Sequence, residues 1–190
     1  MSLKSELKAI TKGYADDYKA ICEASREECI KSLKPGSRMP ATGVLHGEEA
    51  RAKFRAKADS HRKEAVRIID NELRILDNKM SAAPSTEAVN SLQVLKMRKK
   101  VTANEIESLM MRYGDNSLVH DALCDIAADH DIRTYAVADN PVRVKAEKLN
   151  DLKQNITTSL RLEQAERGHA TDGFISFLDA AIDDAIPDTW

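Results

Sequence analysis

The sequence predicts an all-α protein: a long helical hairpin over residues 1–80, a compact three-helix unit over 86–131 and a C-terminal helix pair over 140–187. Three observations carry that reading. Only 4% of the 190 residues are aromatic and 32% are charged, a balance that disfavours half-buried strands and suits solvated helices. Apolar residues recur at steps of three and four over long stretches, which is the spacing of one helix face. Pro, Gly and small polar residues stand where those stretches begin or end.

The first helix is expected from Leu3 to Leu33, with a stripe of Leu3, Leu7, Ile10, Tyr14, Tyr18, Ile21 and Cys22 continued by Ser25, Cys29 and Leu33. Pro35-Gly36 ends it, since proline cannot continue the hydrogen-bond ladder, and an irregular connection runs to Gly47. The second helix, Glu48 to Met80, carries Phe54, Ala58, His61, Ala65, Ile68, Ile69, Leu73, Leu76 and Met80. Both stripes are narrow, close to a coiled-coil seam, so a bare hairpin would leave much of each helix wet or open to a partner, either Val142 to Leu160 of the same chain or, the favoured reading, another copy in a homo-oligomer.

Ser81 to Ser85, with Pro84, marks a boundary. Thr86 to about Lys100 then presents Val89, Leu92 and Leu95. Thr102 and Glu105 have the spacing of a capping box, ahead of Ile106, Leu109, Met110 and Tyr113, and Gly114 suits a left-handed helix end. Asn116 is a candidate cap for a helix whose Leu118, Val119, Ala122, Leu123, Ile126 and Ala127 face inward. After a linker, Asn140 and Pro141 begin a helix with Val142, Leu149, Leu152, Ile156 and Leu160, expected to run to Gly168. A last helix from Thr171 to about Ile186 has the densest apolar face: Phe174, Ile175, Phe177, Leu178, Ala181, Ile182 and Ile186. Its polar face is acidic throughout: Asp172, Asp179, Asp183, Asp184 and Asp188.

The net charge of −2 hides an asymmetry, because residues 1–80 hold 17 Lys/Arg against 13 Asp/Glu and the remainder holds 12 against 18. There is no leader-like apolar core behind a basic start and no apolar run of about 18 residues, so a soluble, unexported protein without a membrane span is expected. Cys22 and Cys29, about 10.5 Å apart along one helix at the standard rise, are too far apart for a disulfide. With Cys124 they read as reduced thiols of a cytosolic protein.

Four candidate chemistries can be weighed. The glycine turn at residue 114 invites a DNA-reading helix-turn-helix, but the second helix would turn His120, Asp121, Asp125, Asp129 and Asp131 toward phosphates that repel them. The basic run Arg51, Lys53, Arg55, Lys57, Arg62, Lys63 and Arg67 could bind nucleic acid, yet its charges are spread around the helix, as on a solvated face. A third use for that run is docking to an acidic surface, such as the C-terminal helix of another copy. His120-Asp121 and His130-Asp131 match the His-Asp dipeptide of all-helical metal phosphohydrolases, and His120 with Cys124 could form half a zinc site, but neither set is completed elsewhere. No cofactor, metal ligand set or catalytic residue is assigned. No phosphate loop, nucleophile elbow or zinc-protease motif occurs.

The chain resembles small charged helical proteins of the structural gene clusters of tailed bacteriophages and prophages. The positions that carry the resemblance are Leu92, Leu95, Thr102, Glu105, Ile106, Tyr113, Asn116, Ala122 and Leu123, behind a long charged hairpin. What it implies is a non-enzymatic protein acting by protein–protein contact in phage head morphogenesis, scaffold-like or a minor structural component, in the host cytoplasm or on the virion. Expected partners are another copy or a phage structural protein, met through the seam Leu7, Ile10, Tyr14, Tyr18, Phe54, Ile68 and Leu76. The alternative is a phage-encoded inhibitor or nucleic-acid-associated regulator using residues 51–67.

Overall fold

The structure, a computed structural model, describes residues 2–133 and 140–187. It is all-α, with no strand among the described residues. The elements are α1 (Leu3–Lys31), α2 (Gly47–Ser81), α3 (Thr86–Lys96), α4 (Ala103–Tyr113), α5 (Ser117–Asp129), α6 (Pro141–Ser159), a single turn α7 (Leu162–Gln164), and α8 (Asp172–Ala185). A wider π-type turn, Ala165–His169, follows α7. The linker expected over 132–140 lies mostly outside the described residues, as does Asp188.

Two compact units result, one of residues 1–70 with 149–190 and the other of residues 71–148. The three segments expected at 1–80, 86–131 and 140–187 follow chain order, and the units do not. The hairpin and the C-terminal segment share the first unit, while α2 and α6 each run from one unit into the other.

In the first unit, Ser2 caps α1 by accepting from the Ser5 amide at 3.2 Å. Tyr14, Tyr18 and Phe54 form an aromatic knot, with Phe54 5.3 Å from Tyr14 and 5.0 Å from Tyr18 between ring centroids. Gly13 lets α2 come close, for a Cβ there would stand 3.0 Å from Cε1 of His61. The helix expected to continue unbroken to Gly168 is interrupted, because Arg161 is extended (φ −134, ψ 156). The break turns the Arg161 carbonyl to the buried Tyr14 hydroxyl, which donates to it at 2.8 Å. A buried phenol must find an acceptor, and the Arg161 carbonyl serves both it and the Ala165 amide, which donates at 3.0 Å as the next turn begins. Gly168 (φ +101) then lets the chain reverse into α8, which packs along α1.

In the second unit α3, α4 and α5 share a core of Ala88, Leu95, Ile106, Met110, Val119, Leu123, Ile126 and Ala127. The local signals hold where side chains cap helices. Thr102 and Glu105 form the reciprocal box, and Asn116 accepts from the Val119 amide at 3.1 Å. Asn140 accepts from the Val142 amide at 2.9 Å to start α6. Helix α3 is shorter than expected, stopping at Lys96. Gly114 is not left-handed but right-handed (φ −67), its amide still bonded to the Met110 carbonyl at 2.8 Å. The left-handed end belongs instead to α5, where Asp131 (φ +54) lets the Ile132 amide reach the Ala127 carbonyl at 2.9 Å. Val89 and Leu118, expected inside, are exposed.

Candidate interaction surfaces

Sequence spacing correctly places Leu7, Tyr14, Tyr18, Phe54 and Leu76 on apolar faces, and all five are buried; Ile10 and Ile68 are half-buried. Thr11, Ala15 and Ala50 join them in the interior. What covers the α1 seam is the same chain. Leu149, Leu152, Ile156 and Leu160 of the C-terminal segment, with Leu178 and Ile182 of α8, are buried in the first unit. The acidic face of α8 meets lysines of α1: Asp183 lies 2.9 Å from Lys4 and 2.8 Å from Lys8, and Asp172 lies 2.6 Å from Lys19. The two lysines hold the Asp183 carboxyl below its ordinary range. Hence the surplus seam expected to recruit another copy is closed internally.

The basic run is largely answered by carboxylates. Arg51 pairs with Glu48 and Glu166, Lys53 with Glu49, Lys57 with Asp17, Arg62 with Asp59 and Arg67 with Glu64. Only Arg55 and Lys63 of the seven are exposed without an ion pair among the described residues. Neighbouring carboxylates at i−3 and i−4 leave little net field for a phosphate backbone. His61, on the inner side of the same helix, bonds Asp17 at 2.8 Å.

On α5 the outer face is as acidic as expected, with Asp121, Asp125, Asp129 and Asp131 exposed, but His120 is not part of it: the residue is only 5% exposed. Its Nδ1 lies 3.6 Å from Cys124 Sγ and 3.6 Å from Asp121 Oδ1, while its buried Nε2 has no hydrogen-bond partner. Burial, then Asp121 and Asp125, push the Cys124 thiol up, away from the thiolate that metals and electrophiles need. No group of three His, Cys, Asp or Glu residues among the described residues is placed to hold a metal.

A cleft of about 470 Å³ lies in the first unit between α1, the Thr42-Gly43 loop and the turn at 165–172. Its floor is Tyr18 and Cys22. Burial pushes Tyr18 up to about 12 and raises the Cys22 thiol, so both are neutral groups there. The Tyr18 hydroxyl donates to the Gly43 carbonyl at 3.4 Å, and the flanking charges are paired as Lys19–Asp172 and Arg51–Glu166. The cleft has the chemistry of a packed seam between segments.

The second unit differs. Of nine exposed large apolar side chains among the described residues, six belong to it: Ile75, Val89, Val94, Met97, Met111 and Leu118. Met97 is 79% exposed, Met111 87% and Leu118 61%. A shallow groove of about 520 Å³ runs between α3 and α4, with Val94, Leu95 and Leu109 as its apolar lining. Sequence reasoning missed this surface by treating every apolar residue near a stripe as inward. The available signal was angular. Leu118 and Val119 are adjacent, about 100° apart, and only Val119 is in register with Leu123 and Ile126.

No helix among the described residues is long and apolar enough to cross a membrane. Comparison with protein-family models, with curated proteins and with solved structures finds no match to this chain.

Proposed function

We propose that the chain works by protein–protein contact rather than by catalysis, as a scaffold-like or minor structural component of phage head assembly, acting in the host cytoplasm or on the virion. The observation that supports contact most is the concentration of exposed apolar side chains, Met97, Met111 and Leu118 foremost, on the smaller of two otherwise well-packed units. Isolated exposed apolar residues are ordinary, whereas their accumulation on one unit beside an apolar groove is the composition of a binding face. Head assembly comes from the sequence resemblance. The partner in this reading is a coat protein, and any copy–copy contact uses the second unit, since the α1–α2 seam is filled. A nucleic-acid role through residues 51–67 loses support from the five paired cations.

The test is co-expression with the coat protein encoded in the same gene cluster, followed by sedimentation of assembled shells. Shell yield or size should depend on this chain, and replacing Met111 and Leu118 with Ser should remove that dependence. Shells that form identically with and without the chain would overturn the assembly role.

A further inference from the structure

The α3–α4 groove adjoins, in sequence, a cluster of exposed cations. Its apolar lining is Val94, Leu95 and Leu109, and polar edges are supplied by Asn90, Ser91, Asn104 and Ser108. Two carboxylates lie on its rim, and each is answered by an arginine: Glu105 by Arg98, Glu87 by Arg112 at 2.7 Å. At the end where α3 passes into α4, the connection carries Lys96, Arg98, Lys99 and Lys100, all exposed. Among the described residues Lys96, Lys99 and Lys100 have no ion pair. Several lysines and arginines of the long helices are matched by carboxylates three or four residues away, as at Glu64–Arg67 and Glu49–Lys53. Here three cations without an ion pair among the described residues stand next in sequence to Leu95 and Arg98 of the groove lining.

We propose that this groove docks an acidic amphipathic helix of a partner protein, whose apolar stripe lies on Val94 and Leu109 while its carboxylates face Lys96, Lys99 and Lys100. Helix-in-groove recognition needs an apolar trough between two helices to seat residues at i, i+3 and i+7, which α3 and α4 supply. The three lysines select the sign of the partner's flanks and raise its rate of encounter, while the apolar contact sets how long it stays. The groove and the lysines make different demands. A free polyanion would need the charges alone, and a neutral apolar helix would need the trough alone. Their adjacency fits a segment that offers both. The proposal rests on the contact reading above and names the site and the chemistry of what fills it.

The experiment uses the full chain and fluorescence anisotropy with synthetic amphipathic peptides of about 18 residues, long enough to hold a helix on binding. One carries a Leu stripe flanked by Glu, a second the same stripe flanked by Lys, a third the Glu flanks with the stripe scrambled; a DNA duplex is the fourth probe. The Glu-flanked peptide should bind at least about tenfold more tightly than the other two peptides, a difference of about 1.4 kcal/mol. Lys96→Glu, Lys99→Glu and Lys100→Glu together should reverse the preference, and Val94→Ser, on an exposed side chain, should weaken binding with helicity unchanged by circular dichroism. Equal binding of the Glu- and Lys-flanked peptides would overturn the charge selection. Tighter binding of the duplex, lost steeply with salt, would assign the lysines to a polyanion instead. If no peptide binds while shell assembly still depends on Met111 and Leu118, which lie outside the groove lining, the groove proposal fails and the contact reading stands.

Discussion

The two units contain much the same residue types in opposite arrangements. The first folds the C-terminal segment back on the helical hairpin and sets ion pairs between α1 and α8 at its edge.

 Of the six seam positions in this unit, Leu7, Tyr14, Tyr18 and Phe54 are buried, and Ile10 and Ile68 are half-buried. The second unit has one described aromatic residue, Tyr113, a core of Ala, Leu, Ile, Val and Met, and most of the exposed large apolar side chains. The difference teaches where a partner can act. A narrow seam on a long helix is not by itself spare surface, because a later segment of the same chain can fill it. A short helix with apolar residues on two faces cannot bury both.

The largest expected effect tests the first half of that contrast. Phe54→Ala removes a fully buried ring held between Tyr14 and Tyr18, and a loss of about 3–5 kcal/mol is expected in the denaturant midpoint. Hydrogen exchange should show protection falling in α1, in α2 up to Asp70 and in α8, with α3 to α5 less affected. Equal loss throughout would mean that the two units unfold as one.

Alkali sharpens the same contrast. Burial raises Tyr14 from its ordinary 10.0 and pushes Tyr18 up to about 12. Above pH 10.0 the unfolded chain releases protons that the folded one keeps. The stabilising contribution is therefore complete below the ordinary value and is lost as pH rises from there through the folded-state values. The denaturant midpoint should fall from about pH 10 to about pH 12, and Tyr14→Phe with Tyr18→Phe should flatten that slope. An unchanged slope in the double variant would place the alkaline sensitivity elsewhere.

In the second unit the caps are easier to remove than the core. Thr102→Ala removes the hydroxyl that accepts from the Glu105 amide, leaves the residue 102 amide still able to donate to the Glu105 carboxylate, and should cost about 1 kcal/mol, read as a midpoint shift with the fold retained. A shift near zero would mean that the Arg98 pair with Glu105 holds the start of α4 without the threonine.

How much was legible follows the range of the interaction involved. Caps and stripes are local, so Thr102, Asn116, Asn140, Tyr14 and Phe54 could be read from their neighbours in sequence. The break at Arg161 could not, because the Tyr14 hydroxyl bonded to its carbonyl lies far away in the chain. The same holds for the closing of the α1 seam by the C-terminal segment, with Lys4 and Lys8 of α1 paired to Asp183 of α8 far along the chain. The left-handed end was placed at Gly114 on residue type alone, whereas the hydrogen bonds put it at Asp131, a residue type that tolerates that conformation. The basic run was read as a solvated face, and carboxylates three and four residues away supply most of the pairs; the groove between α3 and α4 arises because each packs against α5, which no local pattern encodes.

The smallest expected effect on stability decides most about function. Met111→Ser and Leu118→Ser alter side chains that are 87% and 61% exposed, so little apolar area returns to water on unfolding. Each change should move the denaturant midpoint by no more than about 0.5 kcal/mol, the range for surface positions. If these residues belonged to a core, as the sequence suggested for Leu118, the cost would instead approach that of a buried leucine, about 2–5 kcal/mol. The two outcomes are well separated. A near-zero cost together with lost dependence of shell assembly would mean that the side chains are held on the surface for a partner, since nothing in the fold itself requires them. A near-zero cost with assembly unchanged would leave Met111 and Leu118 as ordinary exposed residues and confine the binding face to the groove between α3 and α4.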